Sequence, residues 1–214
     1  MTIYLVPGLG NDKRIFKNLI EYFQDYKLEI LEHLPFLSLE ETLCQYTKRL
    51  VQKVGQFDED SIIIGFSLGG LIATEMSKII NFKKVILIST VKHKLELPTV
   101  IRVAGKFNFQ IPASLIKKAI GSISLILGVT DRVGANYISE IIGDADSQHI
   151  IWAQKAASSW NNILIPDNYI HIHGTRDEIF PINFVKASHI IKLGTHYMIM
   201  DRAEEIANII KSEI

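Results

Sequence analysis

The segment Gly65-Phe66-Ser67-Leu68-Gly69, followed by Gly70, places one serine among three glycines. A serine hydroxyl is a weak nucleophile until a base removes its proton; it can then attack a carbonyl carbon. The pattern G-x-S-x-G suits that task when a strand precedes it and a helix follows. The serine then stands at the tip of a sharp turn with its hydroxyl beyond the sheet edge. The flanking glycines keep neighbouring side chains out of that turn. Composition alone yields such a pentapeptide with a probability of roughly 0.07 in a chain of this length, so context must decide. Ile62–Phe66 reads as a buried strand, and Leu68, Ile72, Met76 and Ile79 make a helical stripe behind it. The competing reading is a tight turn capped by serine, for which one glycine would suffice.

An activated serine requires a histidine, and the histidine an acid to orient it. The order expected on a strand–turn–helix scaffold is serine, acid, histidine. "YIHIHGTRDEIFP" ends a strand and delivers Asp177; "IIKLGTHYMIM" ends a later strand and delivers His196. The other histidines compete less well. His171 and His173 lie within a strand and His189 begins one. His33 and His93 stand outside the required order, and His149 reads as a helix-surface residue. Asp201 follows the base too closely and has a helix-capping role. Ser89-Thr90-Val91, after the strand that follows the nucleophile helix, holds no carboxylate, which favours Asp177. An oxyanion needs two N–H donors. Leu68 supplies one at a helix N-terminus. The loop "LVPGLGND" supplies the other, with Leu9 as the donor and Gly8 and Gly10 allowing close approach.

These residues need a frame that brings distant segments together. Six short apolar runs read as buried parallel strands: Ile3–Val6, Leu28–Leu31, Ile62–Phe66, Val85–Ser89, Tyr169–His173 and Ile190–Leu193. Helical stripes alternate with them: Ile15, Phe16, Leu19, Ile20 and Phe23, then Leu39, Leu43, Tyr46, Leu50 and Val54. Ser38 with Glu41, and Asp201 with Glu204, have capping-box spacing. This is an α/β domain with a mainly parallel sheet of about six strands and helices on both faces. Ligands of such sheets bind beyond the carboxyl ends of the strands, where all the candidates lie. The alternation breaks between Val91 and Pro166. Pro112–Ile120, Arg132–Ile142 and Asp146–Ser158 read as helices there. The span is too long for an ordinary connection and is expected to be a helical lid insertion. The expected division is a core of residues 1–90 and 167–214 and a lid of 91–166.

Composition narrows the partners. The 214 residues are 48% hydrophobic and 21% charged, with zero formal net charge, enough for a large core and without an electrostatic case for nucleic acid or an acidic membrane surface. The single cysteine, Cys44, precludes an internal disulfide and is expected to pack. No apolar run is long enough to span a membrane, and no leader pattern is visible, so the cytoplasm is the expected location. Oligomeric state is left open.

The blocks "GFSLGG", "HGTRDEIFP" and "GTHYMIM", in that order, resemble the nucleophile elbow, acid loop and histidine loop of the α/β-hydrolase family. The resemblance spans nearly the whole chain, from "YLVPGLG" to the terminal helix. It looks closest to small, single-domain bacterial hydrolases of the esterase and C–C-hydrolase branch. It implies Ser67 as nucleophile, Asp177 as acid, His196 as base, and a lid. Two departures are visible: Pro7-Gly8 stands where most members have His-Gly, and the usual first two strands are missing. The expected activity is hydrolysis of an ester, thioester or related small acyl substrate through an acyl-enzyme, without metal or organic cofactor. Gly8, Trp152, Trp160 and Phe180 are the candidates for contacting substrate, with core packing as the competing role of the aromatics. The alternatives are acyl transfer, C–C hydrolysis or a lyase reaction on the same triad, or a ligand-binding protein without turnover.

Overall fold

The computed structural model describes residues 1–107, 109–123 and 132–214. Its six strands are β1 (Thr2–Val6), β2 (Lys27–Ile30), β3 (Ile62–Phe66), β4 (Lys84–Ile88), β5 (Tyr169–Arg176) and β6 (His189–Thr195). They lie in the order β2-β1-β3-β4-β5-β6, and every neighbouring pair is parallel. All six expected strands form. β5 and β6 run further than their apolar runs, because Arg176 still pairs with Thr195 after hydrophobic alternation has ended. The chain leaves β1 for β2 on one side and returns to β3 on the other. A crevice therefore opens beyond the ends of β1 and β3.

Alternate strand residues feed two cores. Ile3, Leu5, Ile62, Ile64, Ile86 and Ile88 face one side, under α1 (Lys17–Ile20) and its flanking 3-10 turns. Tyr4, Val6, Ile63, Val85 and Leu87 face the other, under α2 (Leu43–Val54) and α3 (Leu68–Met76). Burial on both faces explains why β3 is an unbroken run of isoleucines rather than an alternating pattern. Helix α3 is buried along its whole length. Between β4 and β5 lie α4 (Thr99–Lys106), α5 (Ala113–Ile123), α6 (Arg132–Asp144) and α7 (Ser147–Ser158). Helix α4 is additional to the three expected; Pro98 takes its N-cap position. Residues 124–131 of the expected lid lie outside the described residues. Ile138 and Ile142 of α6 join the first core, and Trp152 and Ala153 of α7 join the second. The chain ends in α8 (Met198–Asp201) and α9 (Ala203–Glu213).

Several local expectations are corrected. The capping box of α2 is Thr42 with Gln45, not Ser38 with Glu41. Glu41 instead binds Arg49 and the Leu37 amide, so its carboxylate is not free to cap. Leu39 therefore precedes the helix and is exposed, and Ile79, beyond the end of α3, is exposed too. Helix α9 starts at Ala203 with Arg202 at the N-cap and no side-chain cap bond, so Asp201 and Glu204 form no box. Cys44 is exposed on α2 rather than packed. His149 is no surface residue: it lies against His33, with ring centroids 4.9 Å apart, and burial pushes its pKa down to about 4.

The glycines around Ser67 are explained by close approach. A Cβ at Gly65 would collide with the Gly69 backbone, and one at Gly69 with the Val6 and Pro7 carbonyls. The N-terminus of α3 thus seats directly on the ends of β1 and β3. Gly69→Ala is expected to destabilise the protein by about 3 kcal/mol, because backbone must move to admit the methyl group. At this chain length that corresponds to a Tm lower by roughly 6–12 °C. A melting temperature within about 2 °C of wild type would contradict this seating.

Candidate active site

Ser67 links β3 to α3 at φ 52°, ψ −120°, a strained region for a residue with a side chain. Three backbone anchors hold it there. Its N–H donates to the Ile88 carbonyl at 3.1 Å, and its carbonyl accepts from Gly70 N–H at 2.9 Å and from the Thr90 hydroxyl at 2.6 Å. Thr90 occupies the position after β4 that holds no carboxylate, and it fits against Gly70. The strain leaves the Ser67 hydroxyl pointing past the strand ends.

Asp177 follows β5 and His196 follows β6. Gly174 and Gly194 let those strands close on each other, since a Cβ on Gly174 would strike the Gly194 carbonyl. The structure brings the three residues into one chain of hydrogen bonds. Ser67 Oγ lies 2.9 Å from His196 Nε2, and His196 Nδ1 lies 2.9 Å from Asp177 Oδ2. Because the carboxylate only accepts, Nδ1 carries the proton and Nε2 is the acceptor facing the hydroxyl. Asp177 Oδ1 also accepts from the Ile179 and Phe180 amides, at 3.0 and 2.9 Å. Burial opposes its ionisation, but the His196 ring and its hydrogen bond, His173 and the Phe180 amide outweigh it and hold the carboxyl below its ordinary value. Phe66, Phe180 and Tyr197 surround the imidazole, with ring centroids 5.4–5.7 Å from it.

The loop after β1 faces Ser67 across the crevice. Gly8 is close enough that a Cβ there would lie 3.0 Å from Ser67 Cβ. Asn11 N–H donates to the Gly8 carbonyl, and Asn11 Nδ2 donates to the Leu9 carbonyl at 2.9 Å. Leu9 and Leu68 both border the cavity beside Ser67, and neither backbone N–H has a partner among the described residues. They can therefore receive a negative oxygen.

The cavity measures about 430 Å³. Leu97, Ile101 and Ala104 on or near α4, Ala157 on α7, Leu71 on α3 and Phe180 are among its walls. No charged residue lines it among the described residues apart from the His196 ring, should that protonate. Phe180 thus stands where expected, but Trp152 and Trp160 do not. Trp152 is fully buried between α7 and α2, stacked on Phe36, with Nε1 donating to the Glu41 carbonyl at 2.8 Å. Trp160 donates to Glu75 on α3 at 2.8 Å. Both indoles pin the inserted helices to the core instead of touching the cavity. Among the described residues no group of three or more His, Cys, Asp or Glu side chains converges as a metal site, and no helix is long and apolar enough to cross a membrane.

Solved structures share this architecture over the entire chain. A lipase-esterase related protein from Clostridium acetobutylicum superposes with a TM-score of 0.74 at 20% identity, covering 100% of this chain and 94% of that one. A thermophilic esterase from Thermogutta terrifontis gives 0.69 at 15% identity, over 99% and 88%. An enol-lactonase from Burkholderia xenovorans gives 0.72 at 14%, over 99% and 90%. This chain has the α/β-hydrolase fold. The profile of an uncharacterised protein family, UPF0227, matches residues 14–104. No curated protein matches the sequence. Within the α/β-hydrolase fold, the residues brought together here occupy the carboxyl edge, around the crevice between β1 and β3.

Sequence reasoning missed two histidines near this site. His173 Nε2 donates to the Phe180 carbonyl at 2.7 Å and lies 3.5 Å from Asp177 Oδ2, so it ties both ends of the acid loop. Its place within a strand hid this role; the only signal was its spacing, four residues before Asp177. His33, the second, contacts the loop after β1. The depressed pKa of Asp177 has a thermodynamic consequence. A carboxyl whose folded value lies below its unfolded value stabilises the fold above the unfolded pKa, and that contribution vanishes as pH falls through the folded value. Urea denaturation between pH 5 and pH 3 should therefore show a steeper loss of stability in wild type than in Asp177→Asn. Equal slopes would place the stabilising charge elsewhere.

Proposed function

We propose that this chain is a serine hydrolase that cleaves an ester or thioester of an uncharged, apolar acyl group. The observation that carries this reading is the hydrogen-bonded series Ser67–His196–Asp177, bordering the same cavity as the Leu9 and Leu68 N–H groups, which have no partner among the described residues. In the first step Ser67 Oγ attacks the carbonyl carbon while His196 Nε2 takes its proton. Asp177, already ionised, stabilises the imidazolium and keeps Nδ1 protonated. The carbonyl oxygen becomes an oxyanion between the Leu9 and Leu68 amides. His196 then delivers its proton to the leaving oxygen or sulfur, and the acyl group remains on Ser67. Water enters, loses a proton to His196 and attacks the acyl carbon; the acyl–Oγ bond then breaks, and His196 returns that proton to Ser67 Oγ as the acid leaves. The similarity to esterases and an enol-lactonase supports acyl chemistry of this kind.

The walls of the cavity support the nature of the acyl group. A charged acyl tail would lose its hydration there with no opposite charge among the described lining residues to offset the cost. The cavity's size and its largely aliphatic walls suit a medium-length acyl chain with a small leaving group. In this reading residues 91–166 act as the lid, with α4 and α7 forming its inner wall.

Ser67→Ala should abolish both hydrolysis and fluorophosphonate labelling, with kcat down on the order of a millionfold. Asp177→Asn should lower kcat about 10⁴-fold by favouring the wrong histidine tautomer. Turnover undiminished in Ser67→Ala would end the reading. In a series of p-nitrophenyl esters, kcat/KM should rise from acetate to octanoate, by up to about fourfold per methylene. Preference for acetate, or for an acyl chain ending in a carboxylate, would refute the apolar-acyl assignment while leaving the hydrolase intact.

A further inference from the structure

The geometry points to His33 as the positioning residue that aims the Leu9 N–H at the oxyanion. This rests on the hydrolase reading for its catalytic meaning, but the contact itself is independent of it. His33 follows β2, far from the acid and histidine loops, and its Nε2 lies 3.1 Å from the Gly8 carbonyl oxygen. A carbonyl can only accept, so Nε2 carries the proton. Nδ1 is then an acceptor, and it sits 3.1 Å from the Tyr46 hydroxyl. That hydroxyl in turn accepts from the Leu34 N–H at 2.8 Å. The chain Leu34 N–H, Tyr46 O–H, His33 Nε2–H, Gly8 C=O has one donor for each acceptor throughout. Burial pushes the His33 pKa down, in keeping with this neutral tautomer.

The consequence follows from peptide geometry. The Gly8 carbonyl and the Leu9 N–H belong to one planar trans peptide, so they point in opposite directions. Holding the carbonyl away from the cavity therefore directs the N–H into it. Asn11 N–H holds the same oxygen at 3.1 Å, but it belongs to the same turn and moves with it. His33 is the anchor from outside the loop. It is itself braced by Tyr46 of α2 and by the His149 ring of α7. Pro7-Gly8 occupies the start of this loop, so the orienting imidazole reaches it from the segment after β2 rather than from the loop itself.

The variants separate aiming from packing. A glutamine amide can place a donor where Nε2 stands; an asparagine amide reaches only the Nδ1 side. His33→Asn and His33→Leu are expected to lower kcat on p-nitrophenyl octanoate by about 10- to 100-fold, the lower part of the range for a lost oxyanion donor. KM should change by less than about threefold, because the contact matters to the oxyanion and not to the ester. An alkyl boronic acid, which forms a tetrahedral adduct on serine, should bind weaker by the same factor as kcat. His33→Gln should stay within about fivefold of wild type in both measurements. Should His33→Leu fail to fold, His33→Asn retains a polar side chain and serves the same comparison. A kcat within twofold of wild type in His33→Asn, or His33→Gln as impaired as His33→Asn, would overturn the proposal. The Leu9 amide resonance gives a reading that needs no turnover. It should shift in His33→Asn but hold its position in His33→Gln, and an unmoved resonance in both would also overturn it. Retained turnover in Ser67→Ala would instead count against the hydrolase reading, leaving the Leu9 resonance to judge His33.

Discussion

The site depends on how closely the first turn of α3 sits on the sheet. Ser67 adopts its strained conformation only because the turn beneath it has no room to relax. Val6 and Pro7 press on Gly69 from β1, Gly65 and Gly69 press on each other, and Thr90 fills the space before Gly70. Strain of this kind costs about 1–3 kcal/mol and persists only where the surroundings over-determine it. Here the surroundings are backbone, which yields less than side chains do. The same contact brings the loop after β1 beside Ser67, so the Ser67 hydroxyl and the Leu9 amide are set by one packing event.

A second theme is that hydrogen bonds tie the segments around the site to one another. Asp177 is held by two amides of its own loop and by His196, while His173 braces the carbonyl of Phe180. Farther out, Lys92 is buried after β4, with Nζ 2.6 Å from both Glu96 Oε1 and the Lys186 carbonyl. The Lys186 amide returns a bond to the same carboxylate at 3.1 Å. A buried ion pair contributes little net stability. This one does, however, tie the chain after β4 to the segment entering β6, the two sides between which Asp177 emerges. Glu75 and Trp160 do the same for α3 and the segment after α7.

Much of this was legible in order along the chain. Apolar runs of five residues announced the strands, because a sheet covered on both faces needs continuous burial. The three chemistry-bearing segments could be found because each followed such a run. The capping box of α2 is ambiguous in sequence for a physical reason. Ser38 and Thr42 both stand three residues before a side chain that could complete a box, and only the pairing of Glu41 with Arg49 decides between them. From sequence alone, Trp152 and Trp160 suit cavity walls and core packing equally, because large aromatics in an inserted helical segment fill either role. Their indole N–H groups settle the matter, since each reaches a core acceptor away from the cavity.

What the sequence determined by itself was therefore local and ordinal: the strand–turn–helix around Ser67, the parallel α/β pattern, and the order serine, acid, histidine. These depend on periodicity and on residue types at short spacing, which a linear chain displays directly. The tertiary structure decided which distant groups meet. His33 turning the Gly8 peptide, Thr90 anchoring Ser67, and the apolar character of the cavity all depend on contacts between segments far apart in the chain. Such contacts leave no period in the sequence, because the partner of a buried donor is set by where the strands end in space.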